Sequence, residues 1–241
     1  MTDLSAFFEV HRDIPRQGPG LADDVLWALK VADVPVNAKI CDAGCGPGAD
    51  LVTLAEALPD AKLEGVDVTS HLVAEARSAT AAFGPRVSVI EGSYLELPSS
   101  PYDFIWCAGA AYIAGVPTVL DLWRGQLAAG GHVAFSHPAW LCEPPSDEAR
   151  TFWEEYPEID GLEALEQTIR DAGWDIVDGR WIVGPAWEAY YAPLQDRLHK
   201  MRTESPSADV LAAVEAAETE IARWRAAPDE IAYRLTVVRP A

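Results

Sequence analysis

Asp42-Ala43-Gly44-Cys45-Gly46-Pro47-Gly48 lies between an apolar run, Lys39 to Ala43, and a stretch with Leu51, Leu54, Ala55 and Leu58 at helical spacing. The run reads as a buried strand, the spacing as a helix ended by Pro59, and the glycines as the tight turn between them. A glycine turn at the carboxyl end of a first parallel strand faces the crevice where open α/β sheets bind ligands. Asp67 stands 19 residues after Gly48, at the end of the next apolar run, where a carboxylate can accept hydrogen bonds from ribose hydroxyls. Such a bond to a charged group is worth ~1.5–3 kcal/mol. Together these features point to a nucleoside-containing ligand.

Outward from this loop, strands are expected at Leu63 to Val68, Arg86 to Glu91, Tyr102 to Ala108 and His132 to Ser136. Helices separate them: one capped by Ser70 and stopped by Gly84-Pro85, and one from about Pro117 to Ala128 that leads through Gly130-Gly131. Alternating strands and helices of this length imply a doubly wound α/β sheet, mostly parallel and covered on both faces. The second half reads differently. A helix is expected near Asp160 to Ala172, with Asp160 and Glu163 at capping-box spacing, then a strand from Trp174 to Val183. About 40 residues of helical character follow, with a Ser205-Pro206 start signal and Val210, Val214, Ala217, Ile221 and Trp224 on one face. Ile231 to Val238 is expected as a seventh strand, paired with Trp174 to Val183. The chain thus reads as a single domain over 1–241, with a helical cap (1–37), a ligand-binding core (38–136) and a helical insertion or lid (184–228).

The 241 residues carry 38 acidic and 18 basic side chains, a net charge of −20. That balance disfavours nucleic acid and anionic membranes as partners. No signal peptide or apolar run of membrane-spanning length is seen, so a cytoplasmic location is expected. Cys41, Cys45, Cys107 and Cys142 lack paired CxxC spacing, so no metal site is expected. Half of the net charge falls between residues 143 and 178, where twelve acids face only Arg150 and Arg170. A solvated face accounts for it; a field steering a cationic or amine acceptor is the sharper reading.

Gly44 to Ala49 also satisfies G-x-G-x-x-[GA], the fingerprint of dinucleotide-binding turns, and Asp67 does not separate the readings. Asp42 does bear on it: a carboxylate two residues before the first glycine would repel a pyrophosphate and suit an ammonium group. The late position of the loop and the extra terminal strand point the same way. Here the sequence resembles the class I S-adenosylmethionine-dependent methyltransferases. Asp42 to Gly48 looks like the family's first motif and Gly65-Val66-Asp67 like its second. Glu91-Gly92-Ser93-Tyr94, Tyr102 to Trp106 and Leu127 to Gly131 are similar to three more, in order. Position 93 is Ser where the family often has Asp.

The resemblance implies S-adenosyl-L-methionine as cofactor, S-adenosyl-L-homocysteine as product, and methyl transfer to a small-molecule acceptor. It implies Asp42, Gly44 and Gly46 beside the methionine part and Asp67 on the ribose. Val68, Gly92, Ser93 and Tyr94 would surround the adenine, with Cys107 and Ala108 near the donor methyl. A nicotinamide-dependent oxidoreductase and a non-catalytic cofactor-binding module are the alternatives. The absence of an Asn/Asp-Pro-Pro-Tyr/Phe motif after the fourth strand disfavours methylation of DNA bases.

Acceptor-side candidates come from the variable parts. The basic island His11 to Gly20 offers His11, Arg12 and Arg16, the arginines able to pair a carboxylate of cofactor or acceptor. His137 is placed for general-base work and Tyr112 to abut the transferring group. Trp187, Tyr190 and Tyr191 suit an aromatic wall over the site.

Overall fold

The computed structural model describes residues 5–154, 156, 159–204 and 206–241. Its centre is a seven-stranded sheet of order β3-β2-β1-β4-β5-β7-β6. The strands are β1 (Lys39–Ala43), β2 (Lys62–Asp67), β3 (Val87–Glu91), β4 (Tyr102–Cys107), β5 (Leu127–Pro138), β6 (Trp174–Ile182) and β7 (Tyr233–Pro240). The first five run parallel, and β7 enters antiparallel between β5 and β6. The sheet order reverses between β1 and β4, which opens a crevice at their carboxyl ends.

Before β1 come α1 (Ser5–Val10) and α2 (Ala22–Val31). Helices α3 (Ala49–Ala57) and α4 (Ser70–Thr80) follow β1 and β2, and α5 (Ala111–Ala114) and α6 (Val116–Arg124) follow β4. Then α7 (Asp147–Phe152) and α8 (Leu162–Asp171) precede β6, and α9 (Pro185–Thr203) and α10 (Ala208–Ala226) lie between β6 and β7. The buried side chains form two clusters. Leu51, Leu54, Ile40, Phe104, Trp106 and the inner faces of α9 and α10 make one. Val119, Leu120, Trp123, Ile169 and Trp174 make the other, with Ile105 and Phe135 of the sheet. Each strand of the middle sheet is therefore covered on both sides, which is why β1 and β4 read as continuous apolar runs.

Several boundaries differ from expectation. The helix expected to reach Ala128 stops at Arg124, because Gly125 caps it, and residues 127–131 join β5, where Leu127 pairs with Tyr102. The Asp160–Glu163 capping box does not form: Gly161 is the N-cap of α8, and the Asp160 carbonyl instead accepts the Trp140 N–H. Ser70 is the first residue of α4 rather than its cap, and its hydroxyl donates to Glu91. Helix α4 ends at Thr80, ahead of a 3-10 turn (Ala81–Arg86) that contains Gly84-Pro85. Ser205 lies outside the described residues, and Ser207 caps α10 by accepting the Val210 N–H.

Candidate functional site

The glycine loop turns tightly over the end of β2, because Gly44 and Cys45 both donate their N–H to the Val66 carbonyl, at 2.8 and 3.0 Å. Gly44 sits at φ +82°, and a β-carbon there would lie 2.9 Å from Cβ of Ala110 in the β4–α5 connection. The first glycine thus lets the loops after β1 and β4 approach across the crevice. Asp67 pins the arrangement: one carboxylate oxygen accepts the Gly46 N–H at 3.0 Å, the other the Thr69 N–H at 2.8 Å.

Three carboxylates surround this loop. Asp42 is buried, and its Oδ2 has no hydrogen-bond partner among the described residues. Burial, then the Asp50 and Asp67 charges, holds its carboxyl well above the usual range. Asp50, on the first turn of α3, accepts Nη2 of Arg16 at 3.0 Å on Oδ1 and the indole N–H of Trp106 at 3.0 Å on Oδ2. The segment before α2 is thereby tied across the glycine loop, and Gln17 fastens it to itself by donating to the His11 carbonyl.

These groups line a cavity of about 320 Å³. Asp42, Gly44, Gly46, Asp67, Val68, Tyr94, Ala108, Arg16, His11, Tyr112 and Tyr190 all face it. Gly92, Ser93 and Cys107 do not reach its wall: Ser93 is turned to accept the Leu95 N–H, and Cys107 is fully buried in the core. The apolar side chains of Val68, 61% exposed, and Ile113, 68% exposed, stand at the cavity rather than in a core. The cavity opens into a larger chamber of about 990 Å³, with Phe7, His11, Tyr112, Tyr190 and Tyr233 as the shared wall. Trp187 and Tyr190 of α9, Trp153 and Tyr156 after α7, and Glu220 and Arg223 of α10 complete it.

The other acceptor-side candidates fall elsewhere. Arg12 is exposed and lines neither space. Tyr191 is fully buried in the core and lines neither, its hydroxyl donating to Glu220 at 2.8 Å. Arg16 meets a carboxylate, but an internal one, Asp50. His137 also lines neither space; its ring lies edge-on to Tyr112, 6.4 Å between centroids, and its buried Nδ1 has no hydrogen-bond partner among the described residues. Burial lowers its pKa to about 4. Its side chain sits on β5 in register with Arg234 of β7, next to Ser136, whose hydroxyl accepts the Gly109 N–H. His11 hydrogen-bonds the Phe7 carbonyl through Nδ1 at 2.9 Å, and burial lowers its pKa.

Residues absent from the expectation are Asp50, Gln17, Phe7, Trp153, Tyr156, Tyr233 and Glu220. Asp50 could have been singled out as a carboxylate on the first turn after the glycine loop. Trp153 and Tyr156 carry no spacing signal, because they sit in irregular chain brought to the chamber only by the fold. No group of three or more His, Cys, Asp or Glu among the described residues is arranged to hold a metal ion.

The model of a methyltransferase domain family matches residues 40–131. A trans-aconitate 2-methyltransferase of Streptomyces avermitilis is 32% identical over 120 residues, 48% of this chain and 45% of that protein. A carboxy-S-adenosyl-L-methionine synthase of Campylobacter jejuni is 38% identical over 100 residues, 41% of this chain and 39% of that protein. The chain spans less than half the length of these two curated relatives. A solved S-adenosylmethionine-dependent methyltransferase from Thiobacillus denitrificans, in complex with S-adenosyl-L-homocysteine, superposes with a TM-score of 0.87 over 100% of both chains at 17% identity. Residues 40–131 are therefore similar to a methyltransferase domain, within a chain whose fold is the one seen in that solved S-adenosylmethionine-dependent methyltransferase.

Proposed function

We propose that this chain transfers a methyl group from S-adenosyl-L-methionine to a small-molecule acceptor. The observation that carries the reading is the junction of two spaces at the switch point of the sheet. A cavity walled by Asp42, Gly44, Asp67 and Val68 opens through Tyr112, Tyr190 and Tyr233 into a larger aromatic chamber. One space suits a nucleoside donor and the other an acceptor.

The residues present fit such a donor. The buried, unpartnered oxygen of Asp42 suits the ammonium of the methionine part, and Asp67 keeps acceptor capacity for ribose hydroxyls beyond its two backbone donors. Exposed Val68 offers an apolar face to a flat base. When bound, the sulfonium supplies a methyl carbon already activated for in-line displacement. This chain's residues then have to align, and alignment alone can account for much of the rate. Tyr112, Tyr190 and Tyr233 exclude water at the junction, and burial keeps the Tyr190 and Tyr233 phenols protonated, so they serve as walls and donors rather than bases. His137, outside both spaces, is not assigned a part in the reaction.

The oxidoreductase alternative is weaker on electrostatic grounds. A diphosphate beside the Asp67 carboxylate would find no uncommitted arginine or lysine among the described residues of the cavity, because Arg16 is committed to Asp50. A domain of one piece in a cytoplasmic setting goes with the proposal. The four free cysteines agree with a reducing compartment, and no helix among the described residues is long and apolar enough to cross a membrane. The test is calorimetric titration with S-adenosyl-L-homocysteine and with NADH. One-to-one binding of the first and none of the second supports the reading, and the reverse removes it.

A further inference from the structure

The larger chamber carries information about its occupant that the methyl-donor side does not. Its walls are aromatic: Tyr112, Trp153, Tyr156, Trp187, Tyr190 and Tyr233 surround one space. Trp153 stacks on Tyr233 at 5.9 Å, Trp187 meets Tyr233 edge-on at 5.2 Å, and Tyr112 meets Tyr156 edge-on at 5.3 Å, so the rings brace one another rather than collapse inward. The charged residues on the lining are Glu154, Asp209, Glu220, Arg223 and His11. Arg223, the single arginine among the described residues of the lining, is bound to Glu154 at 2.6 Å, and burial holds His11 toward its neutral form. Arg16 faces the smaller cavity and is held by Asp50. Among the described residues of its lining, a polycarboxylate in the chamber would therefore find no uncommitted arginine or lysine. Glu220 lies on the same lining as Tyr190 and Tyr233, and its carboxylate accepts the Tyr191 hydroxyl at 2.8 Å.

We propose that the acceptor is an organic amine that enters as its ammonium, caged by these rings and drawn by Glu220. The proposal rests on the methyltransferase reading of the same site. An ammonium over the faces of Trp and Tyr is attracted by their quadrupoles, and a carboxylate beside the rings adds a counter-charge. In the transfer step the ammonium first yields its proton to the Glu220 carboxylate. The freed lone pair on nitrogen then forms the new N–C bond as the S–C bond breaks, its electron pair remaining on sulfur. The products are the methylated amine as its ammonium, which takes over the positive charge of the sulfonium, and a neutral thioether, and the proton leaves Glu220 for water.

The experiment compares three probes by calorimetry, each titrated into the full chain saturated with S-adenosyl-L-homocysteine: (3-hydroxyphenyl)trimethylammonium, its uncharged counterpart of the same shape 3-tert-butylphenol, and propane-1,2,3-tricarboxylate. The cation is expected to bind about tenfold more tightly than the phenol. The tricarboxylate is expected not to compete with it. Glu220→Gln, which keeps the size of the side chain and an acceptor for Tyr191, is expected to erase most of that preference while leaving S-adenosyl-L-homocysteine affinity unchanged. Equal binding of cation and phenol, preferential binding of the tricarboxylate, or an unchanged preference in Glu220→Gln would overturn the proposal. If S-adenosyl-L-homocysteine itself fails to bind wild type, the methyltransferase reading falls, and the amine proposal with it.

Discussion

Removing Arg16 tests how the segment before α2 is held over the glycine loop. The guanidinium lies 3.0 Å from Asp50, with the side chains 14% and 10% exposed, and Asp50 spends its other oxygen on the Trp106 indole. At that separation and an effective dielectric of about 20, the gross attraction is about 5 kcal/mol, much of it offset by desolvation. Arg16→Met leaves Asp50 among Asp42 and Asp67 with one neutral donor, and is expected to cost about 3 kcal/mol. Asp50→Asn is expected to cost about 2 kcal/mol, and the double variant much less than the sum. Urea denaturation of the four proteins gives a coupling energy, expected at about 2 kcal/mol. Because residues 16–19 line the donor cavity, Arg16→Met is also expected to weaken S-adenosyl-L-homocysteine binding about tenfold. A coupling below about 0.5 kcal/mol, with unchanged ligand affinity, would refute the tether.

Asp42→Asn separates stability from binding. The native pKa is raised above that of the unfolded chain, so the carboxylate's cost appears as pH rises above the ordinary carboxylate range. The variant is expected to be more stable to urea at pH 7 yet to bind S-adenosyl-L-homocysteine tenfold or more weakly. Gly44→Ala forces a β-carbon against Ala110 at a backbone angle disfavoured for alanine. A loss of about 1–3 kcal/mol in urea denaturation is expected, with a larger fractional loss of ligand affinity. His137, with a native pKa near 4, cannot hold the proton that the unfolded chain takes up near 6.5. Its contribution is intact above 6.5 and is lost as pH falls toward 4, by about 2–3 kcal/mol. Stability curves against pH for wild type and His137→Gln should therefore converge in acid, and wild type should show the steeper fall.

The donor half of the site was legible because it depends on short-range backbone requirements. A strand, a left-handed glycine and a carboxylate at the next strand end occur at fixed spacing in residues 42–67, so sheet order and crevice follow from them. The acceptor half depends on contacts far apart in sequence. Trp153 meets Tyr233 and Trp187, which lie on three different segments, and nothing local marks the three as neighbours. Aromatic spacing alone suggested Tyr191 as readily as Tyr190, and one helical step of about 100° turns the first into the core and the second toward the cavity. His137 shows the same limit on a strand: it lies near the carboxyl end of β5, yet lines neither space. The charge of −20, read first as an exclusion of polyanions, acquires a local counterpart in the chamber, whose one arginine among the described residues is paired.

A crystal structure with S-adenosyl-L-homocysteine bound is the most direct test of the methyl-transfer site. The expected result places the ribose hydroxyls on Asp67, the base against Val68, the ammonium on Asp42, and the sulfur toward the junction formed by Tyr112, Tyr190 and Tyr233. A ligand seated elsewhere, or one whose sulfur points away from the aromatic chamber, would contradict it.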